Sequence, residues 1–139
     1  MKVKQAMHAG AQWVEPGTPL LELARLMRDH NIGAIPIGEN DRLIGMVTDR
    51  DIVCRGLADG LNLAKATARD VMSNGIFYCR DTQDVSDAAR TMEQKKVRRL
   101  PVINEDKRLV GVLSVGDISR TSERTLCGEI VQATAAHAS

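Results

Sequence analysis

The sequence predicts an α/β fold (α+β in detail) made of two β-α-β-β-α repeats packed on one another, and three observations predict it. The chain repeats itself at a spacing of 65 to 66 residues, each half carries an apolar stripe of helical period, and each half then runs strand, turn, strand, helix start. One such half is too small to bury its own sheet and helix well, so the two are expected to pack together.

The duplication runs along most of the chain. Met7, Gly10, Trp13, Ala24, Arg25, Met27 and Pro36 match Met72, Gly75, Tyr78, Ala89, Arg90, Met92 and Pro101 at 65 residues. One extra residue enters before Gly111, after which Gly45, Asp51 and Ile52 match Gly111, Asp117 and Ile118 at 66.

Each element has a local reason. The short segments Gln12-Trp13-Val14 and Ile76-Phe77-Tyr78-Cys79 read as extended. Thr18-Pro19 reads as an N-cap followed by proline at the first helical position, and Leu20, Leu23, Ala24 and Met27 follow at i, i+3, i+4 and i+7. Val85, Ala88, Ala89 and Met92 repeat the stripe, while Glu22, Arg25 and Arg28 point away from it. The runs Ile32 to Ile37 and Val97 to Ile103 each contain a proline, which suits an edge strand or a strand end. Asn40-Asp41 and Glu105-Asp106 supply turns before the second strands, Leu43 to Val47 and Leu109 to Leu113, and helices start near Asp49 and Val115. The expected division is repeat 1 over 1–60, a linker over 61–67, repeat 2 over 68–122 and a C-terminal tail over 123–139. Within the tail, Glu129 to Ala136 reads as a short helix, with a loosely held Ala/Ser-rich end.

Composition excludes several function classes. Aromatics are 2% of the chain and the formal net charge is +1, which leaves few rings for stacking bases and no broad footprint for a polyanion. Nucleic acid is therefore not the expected partner. No apolar run is long enough for a signal sequence or a membrane span, so a cytoplasmic protein is expected. Cys54, Cys79 and Cys127 lack metal-ligand spacing and read as reduced, buried thiols; His8, His30 and His137 are scattered, so no metal site is expected.

Two stretches carry candidate chemistry. Thr48-Asp49-Arg50-Asp51 and Ser114-Val115-Gly116-Asp117 each put a hydroxyl at a strand end and a carboxylate three residues on, in the first turn of a helix. Free N–H groups and the positive helix end converge there, and a carboxylate accepts hydrogen bonds from vicinal hydroxyls such as those of ribose. The same spacing also makes a capping box. Its occurrence at two equivalent places favours binding, and both roles can hold together. Gly45 and Gly111, in the preceding strands, equally suit close sheet packing.

The segments Gly45 to Ile52 and Gly111 to Ile118, with Ile35-Pro36-Ile37 and Leu100-Pro101-Val102 upstream, resemble the signature of CBS (cystathionine-β-synthase) repeats over roughly residues 1 to 122. The TDRD form of the first motif is similar to that of small stand-alone bacterial proteins consisting of one CBS pair. The resemblance implies a pseudo-twofold Bateman module, usually a homodimer, that binds an adenine nucleotide in clefts between the repeats and regulates an unidentified protein by conformational change. AMP is the ligand it implies first, with ATP, NAD or S-adenosylmethionine as alternatives, and it implies neither catalysis nor a catalytic cofactor. By the family's pattern Ala34, Ile35, Pro36 and Val14 would face Ser114 and Asp117, while Arg99, Leu100, Pro101 and Cys79 would face Thr48 and Asp51.

Arg50, Arg98 and Arg99 are the candidate phosphate ligands, although the basic run 95–99 alone would be read as a solvated face. Because only the first motif contains an arginine, unequal affinity is expected. No nucleophile, base or paired-carboxylate constellation argues for an enzyme. The rival readings are a ligand-independent dimerisation module using Met27 and Met92 and, more weakly, a redox or metal sensor at Cys79.

Overall fold

The computed structural model describes residues 1–10, 13–74, 76–121 and 124–135. It divides into two compact units that cut across the sequence repeats. The terminal unit joins Met1–Ala11 to Phe77–Ser139, and the central unit is Gln12–Ile76. Gln12, Gly75, Ala136 and the end of the Ala/Ser-rich stretch, with His137, lie outside the described residues.

In the terminal unit the elements are α1 (Val3–Ala6), β1 (His8–Ala9), then β4 (Cys79–Arg80), α5 (Val85–Lys95), β5 (Arg99–Ile103), β6 (Leu109–Ser114), α6 (Val115–Ser119) and α7 (Arg124–Thr134). Its sheet has the order β1-β6-β5-β4, with β4 parallel to β5 and the other pairs antiparallel. The central unit holds α2 (Leu20–His30), β2 (Ala34–Glu39), β3 (Arg42–Thr48), α3 (Asp49–Asp51) with its π-helical continuation Ile52–Ala58, and α4 (Ala68–Val71). Its β2-β3 hairpin is flanked by single bridges, Val14 to Ile37 and Ser73 to Met46, which repeat the terminal unit's order in reduced form.

The exchanged segments explain why Met7 and Met72 match. Each lies over the glycine of the strand it crosses: a Cβ at Gly111 would stand 2.7 Å from both the His8 carbonyl and Met7 Sδ, and one at Gly45 would stand 2.8 Å from Met72 Sδ and 2.9 Å from the Ser73 carbonyl. Close packing is thus a requirement at both glycines.

Helix and turn signals act as sequence chemistry dictates, with corrections. Asn40 and Asp41 both have positive φ (53° and 60°) and close a two-residue turn between paired Glu39 and Arg42, the primed geometry that matches strand twist. The extra residue of the second repeat falls in the equivalent turn, where the Asn104 side chain accepts from the Asp106 and Arg108 amides. Thr18 does not cap α2. Pro19 occupies that place with no side-chain cap, and the Leu20 amide is instead satisfied by the Ala66 carbonyl at 3.2 Å. In α5 the Asp84 carboxylate caps the Ser86 amide, and Ser86 with the N-terminal amine holds the Asp84 carboxyl down at about 2.

Of the two proline-bearing strands, β5 is not an edge, since it lies between β4 and β6, whereas β2 is an outer strand of its two-stranded sheet and meets a single bridge, Val14 to Ile37, on its other side. Val14 N donates to the Pro36 carbonyl at 3.0 Å. A residue's N and C=O face the same side of its strand, so the ring nitrogen of Pro36 faces the Val14 side and takes no donor from the ladder to β3.

Two apolar cores result. Val85, Ala88, Ala89 and Met92 pack with Leu100, Val102, Leu113 and Ile118 in the terminal unit, and Leu20, Leu23 and Met27 with Ile35, Ile37 and Val47 in the central unit. Ala24 departs from its expected place: it is exposed, and partly buried Leu26 packs on the core instead. The stretch read as a tail contains α7, which starts earlier than expected and contributes fully buried Ile130 to the terminal core. Met27 and Met92 are core residues, not an interaction surface. Of the cysteines only Cys79 is buried, Cys54 and Cys127 being partly exposed. No helix among the described residues is long and apolar enough to cross a membrane.

Candidate functional site

Strand alternation sorts the candidate residues by face. In the central unit Ile35 pairs with Val47 on the core side, so Ala34 and its partner Thr48, and Pro36 and its partner Met46, share the other face. In the terminal unit Leu100 pairs with Leu113 on the core side, and Arg99 with Ser114 and Pro101 with Val112 share the opposite face. The side chains of Ile35, Leu100 and Cys79 are therefore spent on the cores. Val14, Ala34, Ile35 and Pro36 belong to the same unit as Thr48 and Asp51, and Cys79, Arg98, Arg99, Leu100 and Pro101 to that of Ser114 and Asp117. Met46 and Val112 escaped the sequence reading, although period-two alternation from the prolines and the hairpin register point to them.

Both helix starts are built alike. The Asp49 amide donates to the Gly33 carbonyl and the Val115 amide to the Arg98 carbonyl, each at 3.0 Å. Thr48 Oγ1 accepts from the Asp51 amide at 3.1 Å, and Asp51 Oδ2 accepts from the Thr48 amide at 2.9 Å. Ser114 and Asp117 repeat these two bonds at the same lengths. The capping box is thus real at both motifs. Its carboxylate half recurs at Thr67-Ala68-Arg69-Asp70, where Asp70 Oδ2 accepts from the Thr67 amide at 2.9 Å at the same spacing and with no proposed ligand, so spacing alone does not select a binding residue.

What distinguishes the motifs is the second carboxylate oxygen. Asp117 is 6% exposed, and its Oδ1 accepts from the Arg120 guanidinium. Asp51 Oδ1 accepts no hydrogen bond among the described residues. Its nearest cation, Arg55 Nη1, stands 3.8 Å away and donates instead to the Val71 carbonyl (3.1 Å) and Ser73 Oγ (3.2 Å).

The cations assigned to phosphate divide in the same way. Arg50 is exposed and Arg99 partly buried. Arg98 Nε donates to Thr134 Oγ1 of α7 at 2.8 Å, which leaves its terminal nitrogens without a partner among the described residues. Burial pushes the Cys79 thiol up to about 12, so it stays protonated and unreactive and does not suit a redox or metal sensor. No group of three or more His, Cys, Asp or Glu suited to a metal occurs among the described residues.

Comparison with known proteins agrees with this architecture. The CBS domain model matches residues 3–55 and 68–124. Hypoxic response protein 1 of Mycobacterium tuberculosis is 44% identical over 118 residues, 84% of this chain and 82% of that protein. Its crystal structure with two coordinated zinc ions superposes with a TM-score of 0.76 at 43% identity, covering 86% of this chain and 98% of that one. The CBS domain pair of protein MJ0100, in complex with 5′-methylthioadenosine and S-adenosylmethionine, gives 0.76 at 26% identity over 86% of this chain and 94% of that one. CBSX2 in complex with AMP gives 0.72 at 26% identity over 89% and 97%.

Proposed function

This chain belongs to the CBS domain family, and from that premise we propose that it is a non-catalytic sensor of an adenine nucleotide, with AMP the first ligand to test. Solved relatives hold AMP in one case and S-adenosylmethionine with 5′-methylthioadenosine in another, and both ligands present an adenosine ribose. The observation that carries the reading is Asp51. One of its oxygens closes the helix cap, and the other accepts no hydrogen bond from the protein among the described residues, so it suits the ribose diol.

In this reading Thr48 and Asp51, and Ser114 and Asp117, hold sugar. Ala34 and Pro36, and Pro101, offer apolar contact to adenine, with the backbone carbonyls of Val14, Ile35, Cys79 and Leu100, each able to accept a second hydrogen bond, at its edge. Arg50, Arg99 and the free end of Arg98 take phosphate. A nucleotide that binds one arrangement of the repeats better than another shifts their equilibrium, and with it what a regulated protein meets. The three free thiols suit a reducing interior such as the cytoplasm.

Calorimetric titration with AMP tests this. Asp51→Ala is expected to lose about ten- to a hundredfold in affinity, the scale of a hydrogen bond to a charged group. Absence of binding heat and of any melting shift with AMP, ATP, NAD and S-adenosylmethionine would sink the sensor, because a ligand of the native state must stabilise it.

The second reading, a ligand-independent interaction module, is favoured by the exposed helical surface of the central unit. Leu21 of α2 is 58% exposed, and Val53 and Leu57 of the π-helical stretch are 55% and 62% exposed. Pairing into a homodimer through that face is compatible with either reading. Sedimentation of Leu57→Asp at several concentrations measures its contribution.

A further inference from the structure

We propose that Arg120 gates the Ser114/Asp117 motif, so that a nucleotide engages Thr48/Asp51 first and reaches Asp117 only by displacing that arginine. The inference rests on the nucleotide reading above and adds its order of occupancy. Both carboxylates spend Oδ2 on their helix cap. At Asp117 the remaining oxygen is bonded by Arg120, which also lies beside Gly116: a Cβ there would lie 3.9 Å from Arg120 Nη1. At Asp51 the local arginine is drawn off by the Val71 carbonyl and Ser73 hydroxyl and stands beyond hydrogen-bonding distance.

A one-residue shift in the sequence produces the difference. Arg120 follows its aspartate by three residues and Arg55 by four. In the repeat alignment Cys54 occupies the place of Arg120 and Thr121 that of Arg55, while Gly116 stands where the first motif has Arg50. A ribose diol arriving at Asp117 therefore competes with a guanidinium for the same oxygen. The gate is displaceable, because the Arg120 side chain is 70% exposed and an ion pair with one solvated partner is weak.

The test reads the second motif alone. Asp51→Asn keeps an oxygen for the Thr48 amide but lacks the charge, and its residual AMP affinity is compared by calorimetry with that of the double variant Asp51→Asn/Arg120→Gln. The double variant is expected to bind AMP about two- to tenfold more tightly, and Arg120→Gln alone to bring the two sites of the otherwise unaltered chain closer in affinity. Unchanged affinity in both backgrounds overturns the gate while leaving the sensor standing, and weaker binding does the same by making Arg120 a ligand contact. Failure of the unaltered chain to bind any adenine nucleotide overturns the sensor and the gate together. Melting of each variant without ligand confirms that the fold is kept.

Discussion

The terminal unit packs α7 against α5 and α6, whereas the central unit leaves apolar residues of the matching helices exposed. Ile130 and Thr134 of α7 are fully buried, and Thr134 ties down Arg98. The central unit instead exposes Leu21, Val53 and Leu57, together with Ala24, whose counterpart Ala89 is 1% exposed. The carboxylates follow the same asymmetry, Asp117 Oδ1 bonded by Arg120 and Asp51 Oδ1 without a hydrogen bond among the described residues, its arginine 3.8 Å away. Duplication supplied two equal frames, and the residues around each frame made them unequal.

The largest effect that would break or sharpen this contrast is at α7. Ile130→Ala is expected to cost about 2–5 kcal/mol, as for other large-to-small changes in a core, whereas Leu57→Ala should stay within about 0.5 kcal/mol; urea unfolding measures both. Equal losses would mean that the bare face is covered in solution. Next come the crossed segments. Gly111→Ala and Gly45→Ala each force a methyl against a backbone carbonyl and a methionine sulfur, and each is expected to lower stability by about 1–3 kcal/mol. A loss at only one glycine would show that the exchanged segments are not equally tight.

The smallest effect concerns thiols. Iodoacetamide near neutral pH should modify Cys54 and Cys127 well before Cys79, read by mass spectrometry. Burial raises the Cys79 thiol from 9.0 to about 12 in the folded chain. Its contribution to stability is therefore complete below 9.0 and lost as pH rises toward about 12, a loss that Cys79→Ala should remove.

Much of this was legible in advance. The 65-residue match, the apolar stripe of α5, the Asn40-Asp41 turn and the helix starts at Asp49 and Val115 all follow from local chemistry. Thr18 misled because the N-terminal amide of α2 is met by Ala66, which lies far along the chain. Pro101 misled because the strand side that a ring nitrogen faces depends on register, so a proline can sit in an interior strand. Ala24 misled because a helical stripe marks an apolar face but not what covers it. At the motifs the residue types were legible, but the state of each carboxylate was not, since it turns on whether an arginine one turn away finds a better acceptor elsewhere.

The sequence by itself determined that the chain is duplicated, which residues form helices and strands, and where hydroxyl and carboxylate meet at a helix start, because periodicity, turn chemistry and capping act over a few residues. Only the tertiary structure decided that each unit borrows its first segment from the other repeat, that α7 shields one unit, and that Asp117 Oδ1 is hydrogen-bonded by Arg120 while Asp51 Oδ1 accepts no hydrogen bond among the described residues. Those outcomes depend on contacts between residues distant in the chain, and neither propensity nor spacing encodes which of several possible partners a group will meet.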